Sequence, residues 1–389
     1  DKAVQDVYDL AASNAGNLYE RNKQMYAILR YGVKAKSELG EQFDTIFPID
    51  WKHWENNEFG IAEEVTLMKG QNKRRPDIVM YVNGIAIGVL ELKRGTTDIA
   101  ESVNQSISNQ KELFNLWFYT TVQFLLAGND SQGLKYGTIE TQAKYYLSWK
   151  EDEQENTDHK LDKYLKKLCS KERIIDVIYN AVIFDAGVKK LPRPHQYFGL
   201  KAAQEFVKRK EGGIIWHTQG SGKSLMMVML GKWILENVAN SRLVILTDRT
   251  ELDDQIEVVF KDVGETDIAK TKSGKELLQF LSSSRPRLVS SLIHKFGSKG
   301  EDFDLFLKEL QDNPVQTQGE IFVFIDECHR TQGGKLNQVM KAVLQNAVFI
   351  GFTGTPLLKQ DKKTTMEVFG RYIHTYKFNE AVADGVVKD

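Results

Sequence analysis

Two groups of residues in this 389-residue chain have the types and spacing to act on phosphates. The first is Asp77, Glu91 and Lys93, carried by Pro76-Asp77-Ile78-Val79-Met80-Tyr81-Val82, then Asn83-Gly84, then Ile85-Ala86-Ile87-Gly88-Val89-Leu90-Glu91-Leu92-Lys93. Two apolar runs joined by Asn-Gly predict a β-hairpin. An antiparallel hairpin brings Asp77, near the start of one strand, beside the end of the other. The side-chain period of two then sets Glu91 and Lys93 on one face and Leu92 on the opposite one. Two carboxylates and an ammonium at one spot suit Mg²⁺-dependent phosphodiester hydrolysis. Asp77 and Glu91 would hold the ion, and Lys93 would orient or activate the attacking water or stabilise the charge developing on the phosphate. A Glu-x-Lys triplet is equally what a solvated ion pair on a sheet surface looks like, so spacing alone leaves both readings open.

The second group is Trp216-His217-Thr218-Gln219-Gly220-Ser221-Gly222-Lys223-Ser224. A short apolar run, Gly213-Ile214-Ile215, precedes it, and Leu225-Met226-Met227-Val228-Met229-Leu230 follows as a buried helix. Strand, glycine loop, Lys-Ser and helix in that order make a phosphate-binding loop. Gly220, Ser221 and Gly222 let backbone N–H groups ring a phosphate, and the helix N-terminus adds its positive end. Lys223 would reach the β- and γ-phosphates of ATP, and Ser224 would ligate Mg²⁺. Where the general pattern G-x-x-x-x-G-K-[ST] begins with glycine, this chain has His217.

The elements that must position these groups read as α/β throughout. A helix is expected from about residue 17, with Gly32 as its stop, then short strands between 42 and 69, where Trp51 and Trp54 belong to a core. After the hairpin, residues 99–110 read as a helix on which Gln105 would support the catalytic groups. Residues 117–127 are expected as a strand and 143–149 as a last one. Residues 150–190 then form a charged helical connector, with an amphipathic helix at 161–169 and a second at 174–184. Lys163, Lys166, Lys167 and Lys171 in it suit either a solvated face or contact with DNA phosphates. From 191 onward, buried runs at 213–215, 242–246, 288–292, 321–325 and 347–352 alternate with helices, as in a five-stranded parallel sheet. The run at 321–325 delivers Asp326-Glu327-Cys328-His329. There Asp326 would hold Mg²⁺ through water, Glu327 would orient the water that attacks the γ-phosphate, and His329 would sense the nucleotide and relay to Thr353.

Composition narrows the class. A formal net charge of −1 gives no global pull on nucleic acid, so binding must use local patches. No apolar run reaches the roughly 20 residues needed to cross a bilayer, and no secretory signal opens the chain. Cys169 and Cys328, the two cysteines, are too few for a disulfide framework or a zinc site, and are expected as reduced thiols in the cytoplasm.

The motifs carry a family resemblance. Asp77, Glu91 and Lys93 in the spacing Asp-(x)13-Glu-x-Lys resemble the core of PD-(D/E)xK nucleases. RecB-like members carry Q-x-x-x-Y on the helix beginning near 99, and here Gln105 is followed by Asn109 at the tyrosine position. Such folds also use an acid on an early helix, for which Glu20, Glu63 and Glu64 are candidates. The loop that keeps glycines only next to its lysine resembles superfamily-two helicases. Arg193-Pro194-His195-Gln196 resembles their Q motif, with Gln196 reading the adenine edge and Arg193 assisting. Leu246-Thr247-Asp248-Arg249 and Phe352-Thr353-Gly354-Thr355-Pro356 resemble motifs Ia and III, which makes Arg249 and Thr353 candidate DNA contacts.

A nuclease at 1–149 followed by a first RecA-like motor lobe at 191–389 is similar to the R subunit of type I restriction enzymes. The resemblance implies ATP-driven pumping of double-stranded DNA and Mg²⁺-dependent cleavage away from the recognition site, in a complex with methyltransferase (M) and specificity (S) subunits. It also implies that a second motor lobe lies outside this chain, whose ATP turnover is therefore expected to be crippled. A stand-alone repair helicase–nuclease and a non-nucleolytic DNA-binding ATP switch are the alternatives.

Overall fold

The computed structural model describes residues 2–13, 16–36, 43–111, 113–114, 116–151, 157, 159–247, 250–262, 267–271, 274–292, 318–328, 344, 346–355 and 369–387. The chain divides into two compact units, Asp1–Pro194 and His195–Asp389.

In the first unit, α1 (Lys2–Ala12) and α2 (Leu18–Tyr31) precede a paired β1 (Val33–Lys36) and β2 (Phe43–Ile46). Helix α2 starts where the sequence signals it. Asn17 and Glu20 close a capping box, and Gly32, at φ 75°, ends the helix. Then follow β3 (Phe59–Glu63), the short pair β4 (Leu67–Lys69) and β5 (Asn72–Arg74), and the hairpin of β6 (Ile78–Val82) and β7 (Ile85–Leu92). Helix α3 (Ile99–Asn109) crosses over to β8 (Phe124–Asn129), which lies parallel to β7, and β9 (Gly133–Gly137) and β10 (Leu147–Ser148) complete the sheet. The strand order is β10-β9-β8-β7-β6-β3, a mixed sheet of six. β7 lies near its middle, and every residue from Ala86 to Glu91 is buried, which explains its continuous apolar run.

The strand expected at 117–127 begins only at Phe124; Phe118–Thr120 is a 3₁₀ turn. The reason is a side chain that replaces a ladder. Asn22 Nδ2 donates to the carbonyls of Tyr119 (3.2 Å), Thr120 (2.9 Å) and Val122 (2.8 Å). The final strand shrinks likewise to Leu147–Ser148.

Residues 150–190, expected as a connector, belong to this first unit. Helix α4 (Lys160–Leu168) packs on β8 and β9, where Gly128 and Gly133 leave room for Leu161 and Tyr164. Helix α5 (Lys171–Ala181) is tied to α2 by Tyr26 Oη to Ile178 O (2.9 Å) and Arg30 Nε to Tyr179 O (2.8 Å). Trp51 stacks on Tyr179 at 5.4 Å, a packing role as expected. A hairpin absent from the sequence reading, β11 (Ile183–Asp185) with β12 (Val188–Lys190), closes the unit and buries Lys189.

The second unit is a seven-stranded, wholly parallel sheet. In chain order it runs α6 (Pro194–Lys208), β13 (Gly213–His217), α7 (Lys223–Asn237), β14 (Ser241–Thr247), α8 (Thr250–Asp262), β15 (Ile268–Thr271), α9 (Gly274–Ser282) and β16 (Leu288–Leu292). Then come β17 (Glu320–Ile325), β18 (Val348–Thr353), β19 (Tyr372–Tyr376) and α10 (Phe378–Ala383). The spatial order β15-β16-β14-β17-β18-β13-β19 places the five expected strands at the centre and adds β15 and β19 as edges. Edge strands are partly solvated, so neither carries the continuous apolar run that marks the other five. Fold class is α/β in both units: a mixed sheet in the first, a RecA-like parallel sheet in the second. Among the described residues no helix is long and apolar enough to cross a membrane. Both cysteines are free thiols.

Candidate active sites

The hairpin turn is Asn83-Gly84, both residues at positive φ (49° and 77°), which matches the twist of the flanking strands. Val82 pairs with Ile85 and Ile78 with Leu90, with a register shift between Met80 and Tyr81. Asp77 thus arrives at the exit of β7, where its Oδ2 accepts a hydrogen bond from Leu92 N at 2.7 Å. Glu91 is fully buried. Its Oε2 accepts from Gln105 Nε2 (2.6 Å) and its Oε1 from Asn109 Nδ2 (2.8 Å). Gln105 in turn accepts from Lys93 Nζ. Asp77, Glu91, Lys93 and Gln105 therefore meet at one place, as the spacing implied. Asn109 joins them four residues after Gln105, one helical turn on; in the sequence it stands out only as a departure from the Q-x-x-x-Y pattern.

Burial, and after it the charge of Asp77, pushes the Glu91 carboxyl up to about 8, against the pull of Lys93 and of the Asn109 hydrogen bond. Two crowded carboxylates, one of them desolvated, with oxygen donors throughout, fit a hard divalent cation that would neutralise them. Among the described residues no cluster of three or more His, Cys, Asp or Glu forms a metal site, so two carboxylates are what this place offers. The candidates for an additional acid are engaged otherwise. Glu20 caps α2, Glu64 pairs with Arg75 on the surface, and Glu63 is exposed.

In the second unit the loop between β13 and α7 takes the expected form. Gly220 and Gly222 sit at φ 79° and 87°, conformations open to glycine at little cost. Ser221 Oγ donates to Thr218 O at 2.6 Å inside the loop. Gln196, 2% exposed, turns its Nε2 to Gly222 O at 2.9 Å, so it braces the loop. His195 Nε2 lies 2.9 Å from Ser221 O. His217 still belongs to β13 and needs no glycine. Its buried ring packs among the rings of His195, His374 and Tyr376, with Nε2 2.8 Å from His374 Nδ1 and the His195 ring at 5.4 Å. Burial first, then the neighbouring His195, His374 and Lys223, hold His217 well below the ordinary histidine range, so it is neutral.

Lys223 Nζ donates to His217 O at 3.3 Å and faces Glu327 Oε1 at 3.8 Å. Glu327 has φ 46°, an uncommon conformation for a non-glycine residue, and its Oε2 accepts from Gly354 N at 3.2 Å. Glu327 thus links the loop lysine to the turn after β18, where Thr353 is fully buried. A DNA contact by Thr353 would require that turn to move; its Oγ1 now accepts from Thr355 N at 3.3 Å. Ser224 opens α7 and Asp326 follows β17, with Asp326 N bonded to Leu246 O at 2.9 Å. Arg193 falls in the first unit, within electrostatic range of Tyr136. Arg249 and His329 lie outside the described residues.

Comparison with known proteins agrees with both halves. The family described as SWI2/SNF2 ATPase matches residues 195–389, and the one described as type I restriction enzyme R protein N terminus matches residues 2–144. The HindI endonuclease subunit of Haemophilus influenzae, a type I restriction enzyme, is 30% identical over 99% of this chain and 40% of that protein. The SsaAORF53P endonuclease subunit of Staphylococcus saprophyticus is 29% identical over 87% of this chain and 36% of its own. The chain thus spans about two fifths of the curated relatives it matches. Among solved structures, the Sulfolobus solfataricus SWI2/SNF2 ATPase core in complex with dsDNA aligns with 49% of this chain and 38% of its own at 18% identity and a TM-score of 0.34, too low to carry weight. The two family matches and these relatives make the assignment: the chain belongs to the R proteins of type I restriction enzymes, with an R-protein N terminus followed by a SWI2/SNF2 ATPase region.

Proposed function

We propose that the first unit cuts double-stranded DNA at Asp77, Glu91 and Lys93 and that the second binds Mg²⁺-ATP and drives DNA translocation. The observation that carries the reading is the hydrogen-bonded series Lys93–Gln105–Glu91 with Asp77 alongside. Mg²⁺ held by Asp77 and Glu91 would supply charge neutralisation at the scissile phosphate. Lys93 orients water or the phosphate, and Gln105 fixes the lysine relative to Glu91. In the second unit Gly220, Ser221, Gly222 and Lys223 would receive the phosphates, Ser224 and Asp326 would hold the nucleotide's Mg²⁺, and Glu327 would position the attacking water. Gln196 braces the loop and reads adenine, with Arg193, Arg249, His329 and Thr353 as nucleotide and DNA contacts. Cleavage carries no sequence preference of its own. M and S subunits supply the target in a cytoplasmic complex, where free thiols persist. The test is nicking of supercoiled plasmid by the chain with Mg²⁺ and ATP, alone and with M and S subunits, against Glu91→Ala and an EDTA control. Equal nicking by wild type and Glu91→Ala would overturn the nuclease assignment.

A further inference from the structure

Three carbonyls of the loop between β13 and α7 are held by side chains. Ser221 O accepts from His195 Nε2 at 2.9 Å, and because a carbonyl can only accept, that nitrogen carries the proton. Gly222 O accepts from Gln196 Nε2 at 2.9 Å, and Thr218 O from Ser221 Oγ at 2.6 Å. In a trans peptide the C=O and the N–H that follows it point to opposite sides of the chain. Pinning Ser221 O therefore turns the Gly222 N–H away from His195, and pinning Gly222 O turns the Lys223 N–H away from Gln196. These two N–H groups stand at the start of α7, where phosphate oxygens are expected.

The His195 ring is itself held in place. It lies flat on Tyr376, with ring centroids 3.8 Å apart and the planes 7° from parallel. Tyr376 is anchored at both ends. Its backbone O accepts from Thr218 N at 2.9 Å, which ties β19 to the loop, and its Oη donates to Asp384 Oδ2 at 2.7 Å, just past α10. His195 is 7% exposed and Ser221 is fully buried, so water competes little for the carbonyl between them. A phenyl ring would stack on Tyr376 as well, but it would bring no N–H to Ser221 O.

We propose that His195 is a positioning residue of the ATP site: seated on Tyr376, it fixes Ser221 O and thereby aims the Gly222 N–H at a phosphate oxygen of the bound nucleotide. The inference rests on the nucleotide-binding reading above. Gln196 sets the Lys223 N–H in the same way, so two consecutive residues of α6 orient two consecutive N–H groups of the loop. In this role His195 acts only through the backbone, and its effect falls on the phosphates and not on adenine.

The test is displacement of a fluorescent ATP analogue by tripolyphosphate and by adenosine, with Mg²⁺ present, from the whole chain and its His195→Phe, His195→Gln and Lys223→Ala variants. His195→Phe keeps a ring against Tyr376 and loses the N–H. It is expected to bind tripolyphosphate about tenfold more weakly, the worth of one hydrogen bond to a charged group, and adenosine within about twofold of wild type. His195→Gln, whose amide returns an N–H, should recover most of the loss. Unchanged tripolyphosphate affinity in His195→Phe, a loss that adenosine shares, or a loss that His195→Gln leaves in place would overturn the proposal. If Lys223→Ala binds tripolyphosphate as wild type does, the nucleotide reading itself falls and His195 with it. A loss in Lys223→Ala with none in His195→Phe removes His195 alone.

Discussion

The two candidate sites solve opposite electrostatic problems. In the front unit negative charge is crowded: Glu91 lies fully buried beside Asp77, and its carboxyl is raised to about 8. Lys93 reaches this pair through Gln105. In the rear unit the polypeptide carries its own counter-ion, Lys223 lying 3.8 Å from Glu327 with both side chains about nine-tenths buried. On the function proposed above, the first site would be neutralised by a cation, and in the second an anionic phosphate would compete with Glu327 for Lys223. Removing a carboxylate in front destroys the binding demand. Removing the carboxylate behind leaves the binding group in place and takes away its competitor.

The largest effect expected from this contrast is in front. Glu91→Ala should reduce Mg²⁺-dependent plasmid nicking by on the order of 10³-fold or to background, since a charged ligand and the anchor of both amides go together. Asp77→Ala should match it. Nicking within tenfold of wild type in either variant would mean that the charge crowding is structural.

Next in size is the rear lysine. Lys223→Ala should weaken ATP binding by roughly 100-fold, measured with a fluorescent nucleotide. Glu327→Gln should bind ATP as tightly as wild type or a few-fold more tightly, because the neutral amide no longer holds Lys223. A loss of affinity in Glu327→Gln comparable to that in Lys223→Ala would remove the contrast between the sites.

A third test uses pH. Glu91 ionises near 4.5 ordinarily and near 8 in the folded protein. Between those values the folded state keeps a proton that the unfolded chain has released, so stability falls as pH rises across the window. The slope is at most about 1.4 kcal/mol per pH unit from this group. In EDTA the melting temperature of the front unit should decline from about pH 5 to about pH 8, and Glu91→Gln should flatten the decline. Added Mg²⁺ should raise the melting temperature most at the alkaline end. A profile identical in wild type and Glu91→Gln would contradict the burial argument.

The contrast also explains what could be read without coordinates. Groups defined by short-range spacing were legible: Asp77, Glu91 and Lys93 through a two-residue turn, and Gly220 to Ser224 through a loop between a strand and a helix. So were the five central strands, whose burial on both faces writes a continuous apolar run. Asn109 was visible but misweighed, because its value lies in sharing a helix face with Gln105. Tyr119, Asn22 and Lys189 were invisible as a set, since 97 residues separate Asn22 from Tyr119 and 167 separate it from Lys189, and only packing joins them. The His217 substitution reads as a defect in a pattern and turns out to be a packing choice, with His374 supplied by an edge strand that has no strong sequence signature.

The smallest expected effect separates the turn from the register it serves. Gly84 has nothing within 4 Å of where a Cβ would stand, so Gly84→Ala meets strain from φ 77° and no clash. That strain is worth about 1 kcal/mol, readable as a small drop in urea midpoint. Asn83 is held separately, by Nδ2 to Pro48 O (2.9 Å) and Asn57 Oδ1 (2.8 Å) and by its Oδ1 accepting from Glu58 N (2.7 Å). With those bonds and the β6–β7 pairing from Val82–Ile85 to Ile78–Leu90 holding the register, Glu91 should stay near Asp77. Nicking by Gly84→Ala should remain within about twofold of wild type. A large loss of nicking at nearly unchanged stability would show instead that the turn, and not the strands, aligns the two carboxylates, and that the front site depends on a single backbone conformation where the rear site rests on a whole sheet.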